Sequence, residues 1–255
     1  MAEPVEVSRA GVLAGIPHGF LGRRGGVSTG LVAGLNTGLG SGDDDAAVAE
    51  NRARAVAAVM PGARLVNVFQ VHSPRCVTVT EPWDDSARPE ADALVSDQRG
   101  LLLGIVTADC APVLLADRVA GVIGAAHAGW KGALGGVMEN TIAAMVKLGA
   151  RRATIAAAIG PCIAQPSYEV DTVFSARFIA DHTDNSRFFS PGKPGHWQFD
   201  LEAFVAHRLA AAGIGEIERL GLDTLAAPER FYSYRRAALQ GEPAYGRQLS
   251  LIGLE

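Results

Sequence analysis

Short apolar runs and longer amphipathic stretches alternate along this chain, and each kind predicts a different element. The runs at 65–71, 76–80, 101–107, 119–126 and 153–159 are rich in β-branched residues and bounded by Gly, Pro or Asp, which predicts strands. Several contain almost no polar residue, so we expect these strands to be buried on both faces.

Helical spacing of apolar residues appears in four other places. Three aspartates at 43–45 precede an Ala-rich stretch that ends at Pro61-Gly62, which predicts a helix with acids at its positive end. A second helix is predicted from Trp130 to a cap at Gly149, a third over 171–182, and a fourth after an Asp200 cap. The glycine-rich residues 19–42 predict a long loop system, and 231–251 predict a hairpin around Gly241-Glu242-Pro243. Strands and helices are therefore mixed throughout, and without a linker or repeat we expect one domain over 1–255.

Composition narrows the class of protein. The 255 residues are 48% hydrophobic and 20% charged, with a net charge of −4, so no positive field favours nucleic acid or an acidic membrane surface. The longest apolar runs fall far short of the roughly 18 residues of a spanning helix, and the N-terminal residues lack the pattern of a secretory signal. We expect a cytoplasmic protein that binds neither nucleic acid nor membrane. The three cysteines are too few for a disulfide framework, so one of them is a candidate ligand or nucleophile.

Three residues with reactive side chains follow predicted buried strands: His72, Cys110 and His127. Since strand ends at one edge of a sheet meet in space, these residues are expected to share a pocket. Two imidazoles and a thiolate suit zinc, with the fourth position open for water or substrate. The same residues also suit a thiolate nucleophile at Cys110 with a histidine as its base. Taken one at a time, each residue is also explained as an ordinary buried or hydrogen-bonded side chain without a functional role.

Neighbouring residues suggest further roles in such a pocket. Asp109 is a candidate proton acceptor or histidine partner, although an aspartate at a strand end is also a common turn residue. The segment His127-Ala-Gly-Trp-Lys-Gly132 opens the second predicted helix, where free amides and Lys131 favour an anion such as phosphate; the alternative is a plain strand-to-helix turn. Arg23-Arg24 and Arg235-Arg236 offer further cations beside glycine-rich turns, with solvated surface arginines as the alternative.

Many segments, in order along nearly the whole chain, resemble one family: the bacterial YfiH-like proteins, also called laccase-domain or multicopper polyphenol oxidase proteins and described as purine nucleoside phosphorylases. The matching segments are Gly19-Phe-Leu-Gly-Arg-Arg-Gly-Gly-Val-Ser28, Leu35-Asn36, Gly42-Asp-Asp44, Asn51-Arg52, Gln70-Val-His72, Thr107-Ala-Asp-Cys-Ala-Pro112, His127-Ala-Gly-Trp-Lys-Gly132, Ile159-Gly-Pro-Cys-Ile163, Tyr168-Glu-Val170, Phe199-Asp-Leu201 and Ser233-Tyr-Arg-Arg236.

The resemblance implies a fold, a metal site and an activity. It implies an α/β (α+β) fold as a four-layer α/β/β/α sandwich with mixed sheets, similar to cytotoxic-necrotizing-factor-like cysteine hydrolases. It makes His72, Cys110 and His127 the metal ligands, with Zn²⁺ as the expected metal and copper as the alternative. Together with Asp109 they form the predicted catalytic set, and the predicted substrate-binding residues are Arg23, Asn36, Lys131 and Arg235. Lys131 stands where the family usually has Arg. Lysine and arginine hold phosphate differently.

The implied reaction is phosphate-dependent cleavage of adenosine, inosine, guanosine and methylthioadenosine to base and sugar-1-phosphate, with a hydrolytic adenosine deaminase activity. The expected partners are thus a purine nucleoside and phosphate, and the expected state is a monomer or weak homo-oligomer. Two alternatives belong to other classes: a copper-dependent polyphenol oxidase, and a cysteine hydrolase that edits peptidoglycan precursors. Two His and one Cys alone do not supply the trinuclear site that the oxidase needs.

Overall fold

Fourteen strands and six α-helices make up the part of the chain that the computed structural model describes, residues 3–255. The strands are β1 (Val7–Ser8), β2 (His18–Leu21), β3 (Arg64–Asn67), β4 (Cys76–Thr78), β5 (Ala93–Ser96), β6 (Leu101–Thr107), β7 (Ala111–Asp117), β8 (Val122–Ala128), β9 (Ile155–Ile159), β10 (Glu169–Asp171), β11 (Phe189–Pro191), β12 (His196–Phe199), β13 (Glu216–Arg219) and β14 (Gln248–Gly253). The helices are α1 (Asp45–Val59), α2 (Trp130–Gly135), α3 (Val137–Lys147), α4 (Thr172–Asp181), α5 (Leu201–Ala211) and α6 (Tyr234–Gln240).

The strands form three sheets. One has the order β1-β2-β14-β6-β3, a second has the order β13-β9-β7-β8-β5-β4, and a small third sheet has the order β10-β12-β11. The pairs β3–β6, β4–β5 and β9–β13 are parallel, whereas β5–β8, β7–β8 and β7–β9 are antiparallel. Both larger sheets are therefore mixed, as expected for this α/β class.

Three hydrophobic clusters show how the sheets and helices pack. The first lies between the two larger sheets and includes Leu103 and Ile105 of β6 and Leu114 of β7. The second covers the other face of the six-stranded sheet with residues of α3 and α5, and the third packs α1 on the other face of the five-stranded sheet. Among the predicted strands, β8 and β9 are buried along their whole length, which confirms the expected burial on both faces, whereas the edge strands β3 and β4 are partly exposed.

Aspartate caps begin three of the helices where the sequence predicted them. The side chains of Asp44, Asp171 and Asp200 accept hydrogen bonds from the backbone amides of Ala47, Phe174 and Ala203. These contacts satisfy amides that the first helical turn leaves free, so α1, α4 and α5 begin at the predicted places.

Two predicted elements are wrong. The helix predicted from Trp130 to Gly149 is two helices, because Gly136 takes a left-handed conformation (φ 97°) that ends α2 after six residues and begins α3. The predicted C-terminal hairpin is the helix α6 followed by the single strand β14. Ser233 caps α6 by accepting from the Arg236 amide, and Gly241 ends it at φ 68°.

Three buried strands were not predicted. Strand β2 occupies the start of the predicted loop system 19–42, β5 follows Asp92 and β7 follows Cys110 directly, and all three are buried at every position. Strand β7 places Cys110 in a tight turn between β6 and β7. No helix within residues 3–255 is both long and apolar enough to span a membrane.

Candidate metal centre and cavity

The predicted ligands His72, Cys110 and His127 lie together. Cys110 directly precedes β7, and His127 is the penultimate residue of β8, where it pairs with Pro112 of β7. The start of one strand thus lies beside the end of its antiparallel neighbour. His72 comes from the loop between β3 and β4, at the far edge of the same sheet.

The distances within this cluster fit a single metal ion. Its candidate ligand atoms all lie within 4.8 Å of one another, and the Cys110 Sγ is 3.9 Å from His72 Nε2. Tetrahedral zinc with its usual bond lengths separates a sulfur and a nitrogen ligand by about 3.6 Å. His72 is exposed, Cys110 half-buried and His127 buried, so one side of the cluster stays open. Three protein ligands with an open side are typical of a catalytic rather than a structural zinc site.

Electrostatics prepares Cys110 as a ligand, whereas His127 has to lose a proton before it can bind a metal. Burial disfavours the Cys110 thiolate, but the charge and hydrogen bonds of His127 and His72 outweigh it and lower the pKa of Cys110 to about 7. Burial likewise disfavours the His127 imidazolium, but Cys110 and Asp92 outweigh it and raise the pKa of His127 to about 9. Without metal, the pair is therefore a thiolate beside an imidazolium.

This pairing predicts proton release when zinc binds. At about pH 8 the metal-free cysteine is mainly deprotonated and His127 mainly protonated, because their pKa values are about 7 and about 9. Since zinc takes the thiolate and the neutral imidazole, we expect roughly one proton released per zinc, falling as the pH rises above the His127 pKa. Titration calorimetry in two buffers of different ionisation enthalpy measures this number. Release near zero at about pH 8 would contradict the ion pair.

Gly129 leaves room for two of the ligands. A Cβ atom at this position would lie 2.9 Å from the ring of His72 and 3.0 Å from the Cys110 Sγ. Its φ of −68° is one that any residue adopts, so space and not backbone freedom demands glycine here. The helix-opening glycine is thus part of the candidate site.

We expect Gly129→Ala to weaken zinc binding at least about tenfold, because the added methyl group displaces the ligands His72 and Cys110. Competition with a chromogenic chelator measures the affinity. Gly215→Ala is the matched control, since nothing lies within 4 Å of a Cβ there and its φ is not positive. Unchanged affinity in Gly129→Ala would show that this contact does not constrain the ligands.

A cavity of about 760 Å³ opens beside the cluster. Its lining includes His72 and Cys110 of the cluster together with His196. Two cationic side chains, those of Lys131 and Arg235, also line it. Aromatic rings supply much of the remaining wall: Trp130, Tyr168, Phe174, Tyr234 and Tyr245. The Tyr234 and Tyr245 rings meet edge to face with centroids 5.2 Å apart. The cavity thus combines a candidate metal centre, cations and flat apolar surfaces.

Asp109 lines the cavity, but its carboxylate is occupied by the protein. One oxygen accepts from the Thr224 hydroxyl at 2.6 Å, and the other accepts from the Ser233 hydroxyl at 3.0 Å and the Arg235 amide at 2.6 Å. Burial raises the pKa of Asp109, although these hydrogen bonds oppose the rise. Asp109 also has a φ of 88°, so it forms the tight turn that presents Cys110.

The four predicted substrate-binding residues separate into two pairs. Lys131 and Arg235 line the cavity, and neither forms an ion pair within residues 3–255. Arg23 instead donates to the carbonyls of Ala33 and Pro228 and lies over the Tyr232 ring. Asn36 is fully buried and hydrogen-bonds to Ser41, Asp43 and the Arg247 amide, within the glycine-rich loop system. The structure brings neither Arg23 nor Asn36 to this cavity.

Asp92, which the sequence did not predict as a site residue, contacts the candidate ligand His127. Asp92 is fully buried and accepts from the His127 Nδ1 at 2.8 Å, which leaves Nε2 of that ring for a metal. In the sequence, Asp92 follows Glu90 by two residues and precedes a short apolar run, a position that is typical of a turn residue. The signal was an ionisable residue directly before four buried strand residues.

The other two cysteines differ from Cys110. Burial raises the pKa of Cys76 to about 12 and that of Cys162 well above its ordinary value. Neither belongs to the lining of the cavity. Cys110 is therefore the cysteine with thiolate character at neutral pH.

The fold and the site agree with the family that the motifs suggested. The chain belongs to the multi-copper polyphenol oxidoreductase laccase family, whose model matches residues 17–255. It is 43% identical over 242 residues to a purine nucleoside phosphorylase of Deinococcus radiodurans, which covers 94% of this chain and 89% of that protein. Two solved structures are similar: a Neisseria meningitidis protein with a TM-score of 0.88 (33% identity, 98% and 99% of the two chains) and the hypothetical protein YfiH of Bacillus licheniformis with a TM-score of 0.86 (30% identity, 93% and 92%).

Proposed function

We propose that the protein is a purine nucleoside phosphorylase that cleaves adenosine, inosine, guanosine and methylthioadenosine with inorganic phosphate, and that it also deaminates adenosine. The observation that carries the proposal is the cavity that joins the open His/Cys/His cluster to unpaired cations and aromatic rings. The similarity to curated phosphorylases supports the same reaction.

The cations provide the phosphate site of this proposal. Lys131 and Arg235 face one cavity, and Arg235 uses one nitrogen to donate to the Glu169 carbonyl while its guanidinium lies 5.3 Å from the centre of the Tyr168 ring. A guanidinium fixed in this way presents its other donors in a fixed direction, which suits a phosphate oxygen. Phosphorolysis then forms a bond from phosphate to the sugar C1′ and breaks the bond from C1′ to the base.

The aromatic residues provide the site for the base and sugar. A purine has two flat apolar faces, and stacking on aromatic side chains holds it without regard to its exact substituents. Tyr234 and Tyr245 form one such surface, and Trp130 and Phe174, with centroids 5.0 Å apart, form another. This arrangement suits acceptance of several purine nucleosides.

Zinc is the metal we propose for His72, Cys110 and His127, because imidazole and thiolate ligands with an open side suit it. Bound there, zinc supplies a Lewis acid at one end of the cavity. Within residues 3–255, this cluster is the one place where three or more His, Cys, Asp or Glu side chains gather closely enough for a metal. A phenol oxidase with several copper ions needs further ligand clusters, so the ligand set favours a single zinc.

We expect nucleoside cleavage to depend on phosphate. Because attack by a phosphate oxygen replaces attack by water, inosine should give hypoxanthine and ribose-1-phosphate, with little turnover when phosphate is omitted. Chromatography of base and sugar products with and without phosphate measures this. Equal rates in both conditions, with release of free ribose, would make the enzyme a hydrolase.

A pair of variants locates the phosphate site in the same assay. Lys131→Ala should raise the phosphate KM about tenfold or more and change the nucleoside KM less, because it removes a cavity cation. Arg23→Ala is the matched control, since its guanidinium donates to carbonyls outside the cavity. A larger effect in Arg23→Ala would place the phosphate site at the glycine-rich loop.

A second candidate function is favoured by one observation. Cys110, His127 and Asp92 stand in the order nucleophile, base and orienting carboxylate, with the pKa of Cys110 lowered to about 7. This order is typical of cysteine hydrolases, and a hydrolase that edits peptidoglycan precursors would use it without metal.

We further infer that the fold is a four-layer α/β/β/α sandwich, the layer order of such hydrolases. The three hydrophobic clusters support this layer order.

A further inference from the structure

We propose that Asp92 is the positioning residue that holds both histidines of the metal site in their binding geometry, one by its ring and the other by its backbone. The inference rests on the proposed metal site and extends it to a residue that contacts no substrate. It identifies the group on which the spacing of His72 and His127 depends.

The carboxylate of Asp92 is shared between the two histidines. Its Oδ1 accepts from the His127 Nδ1 at 2.8 Å and from the His72 backbone amide at 2.9 Å. Its Oδ2 accepts from the amide of Ser73 at 2.6 Å, the hydroxyl of Ser73 at 2.8 Å and the amide of Val71 at 3.2 Å. Five donors therefore converge on one buried carboxylate, and two of them belong to candidate metal ligands.

The backbone around Asp92 ties it to the same two segments. In the antiparallel pair β5–β8, Ala93 pairs with Ala126, so Asp92 lies beside His127, whose amide donates to the Asp92 carbonyl at 2.7 Å. The Asp92 amide in turn donates at 2.9 Å to the carbonyl of Arg75, the last residue of the loop that carries His72. Backbone hydrogen bonds thus fix the position of Asp92 independently of its side-chain contacts.

The loop that carries His72 is shaped around this carboxylate. His72 has a φ of 61°, which is uncommon for a residue other than glycine. The left-handed turn points the consecutive amides of Val71, His72 and Ser73 at one anion, the arrangement called a nest. His72 is exposed, and its ring meets the His127 ring edge to face with centroids 4.7 Å apart, so the anchored backbone and this contact together set where the ring stands.

The His127 contact also selects the form of the ring. Once the ring is neutral, its donation from Nδ1 to Asp92 leaves Nε2 as the acceptor, which is the form that binds a metal. The hydrogen bond further stops rotation of the ring. Loss of the carboxylate therefore removes the orientation of one ligand and the anchor of another at the same time.

Asp117 offers a close comparison within the same sheet. It is buried to a similar degree (1% exposed) and accepts from the amides of Val119, Ala120 and Arg151 and from the Thr154 hydroxyl. It ends β7, whose first residue follows Cys110, so about 23 Å of strand separates it from Cys110 and about 17 Å from His127. Asp92 and Asp117 thus share burial and backbone contacts, and only Asp92 contacts the histidines.

The experiment compares Asp92→Asn with Asp117→Asn. An asparagine keeps the shape but replaces one oxygen with an NH2 group, which cannot accept. At the Oδ2 position this group faces the amides of Val71 and Ser73 and releases the loop of His72. At the Oδ1 position it faces the His127 ring and the His72 amide, so either orientation loses contacts on which a histidine depends. We expect the zinc Kd of Asp92→Asn, measured by chelator competition, to rise about 10- to 100-fold. Asp117→Asn should lose thermal stability to a similar extent and keep the zinc Kd of the unsubstituted protein within about twofold.

The outcomes separate this inference from the metal site itself. If the unsubstituted protein binds no zinc, the proposed site fails; if it binds zinc and Asp92→Asn retains the affinity, the role of Asp92 alone is overturned. Should Asp92→Asn not fold, nitrogen NMR of the zinc-loaded unsubstituted protein decides instead. We expect His127, assigned with a His127→Gln sample, to carry its proton on Nδ1 and to exchange it slowly. A proton on Nε2 would overturn the proposal.

Discussion

Replacing Cys110 with serine is expected to remove the metal and most of the activity together. A serine hydroxyl stays protonated at neutral pH and is a poor ligand for zinc, whereas the Cys110 thiol is prepared as a thiolate by His127 and His72. We expect zinc content to fall from about one per chain to near zero, and phosphorolysis to fall by about 10³-fold, since a metal supplies several kcal/mol of stabilisation. Elemental analysis and the inosine assay measure the two losses.

Alkylation of the unsubstituted protein distinguishes a ligand from a nucleophile at the same position. A coordinated thiolate should react slowly with iodoacetamide until a chelator removes the metal. Cys76 and Cys162 are internal controls, because burial raises their pKa values and they should react slowly in both conditions. Rapid labelling of Cys110 without chelator, with activity lost in step, would favour the cysteine hydrolase.

The candidate ligands could be picked out from the sequence because each lies near the end of a predicted apolar strand. The pairing that joins two of them could not be predicted: Cys110 and His127 lie beside each other since β7 and β8 are antiparallel, and β7 was not predicted. Asp92 could not be found in this way. An aspartate before a short apolar run, here with Glu90 two residues ahead of it, usually belongs to a turn. The role of Asp92 depends on the contacts that residues 71–73 make with it, which no local pattern shows.

Elements of the fold could be predicted where residues within the element determine it. They could not be predicted where contacts with distant parts of the chain determine it. The caps Asp44, Asp171 and Asp200 act within their own helices, so their positions could be predicted. The C-terminal segment was wrongly predicted to be a hairpin because its turn residues suit either a hairpin or a helix end. There the Ser233 cap and the left-handed Gly241 select the helix α6, which brings Arg235 to the cavity.

The cavity itself could not be predicted residue by residue. Its walls come from segments that are far apart in the sequence, such as Tyr168 before β10, His196 of β12 and Tyr245 before β14. Each of these residues is unremarkable in its own segment. Only their arrangement around Cys110 makes them candidates for binding a nucleoside.

Replacing Asp109 with alanine is expected to cause the largest loss of stability among the site variants. Its carboxylate joins the turn before Cys110 to two other segments, through Thr224, Ser233 and the Arg235 amide. Removing it leaves these buried donors without an acceptor, at about 1–3 kcal/mol for each unsatisfied group. With some relaxation we expect the free energy of unfolding to fall by about 3 kcal/mol in total, measured by urea denaturation of the metal-free protein.

Asp109→Asn decides whether the same residue also transfers protons. An asparagine keeps an acceptor oxygen for part of the network, so the loss of stability should be smaller, about 1–2 kcal/mol. If Asp109 acts only by holding the turn, this variant should retain zinc and a substantial fraction of its activity, with an unchanged pH profile. If instead it folds and binds zinc normally but loses turnover about 10²-fold or more, Asp109 serves as a general acid or base. The present geometry, in which both carboxylate oxygens are occupied by protein donors, favours the first result.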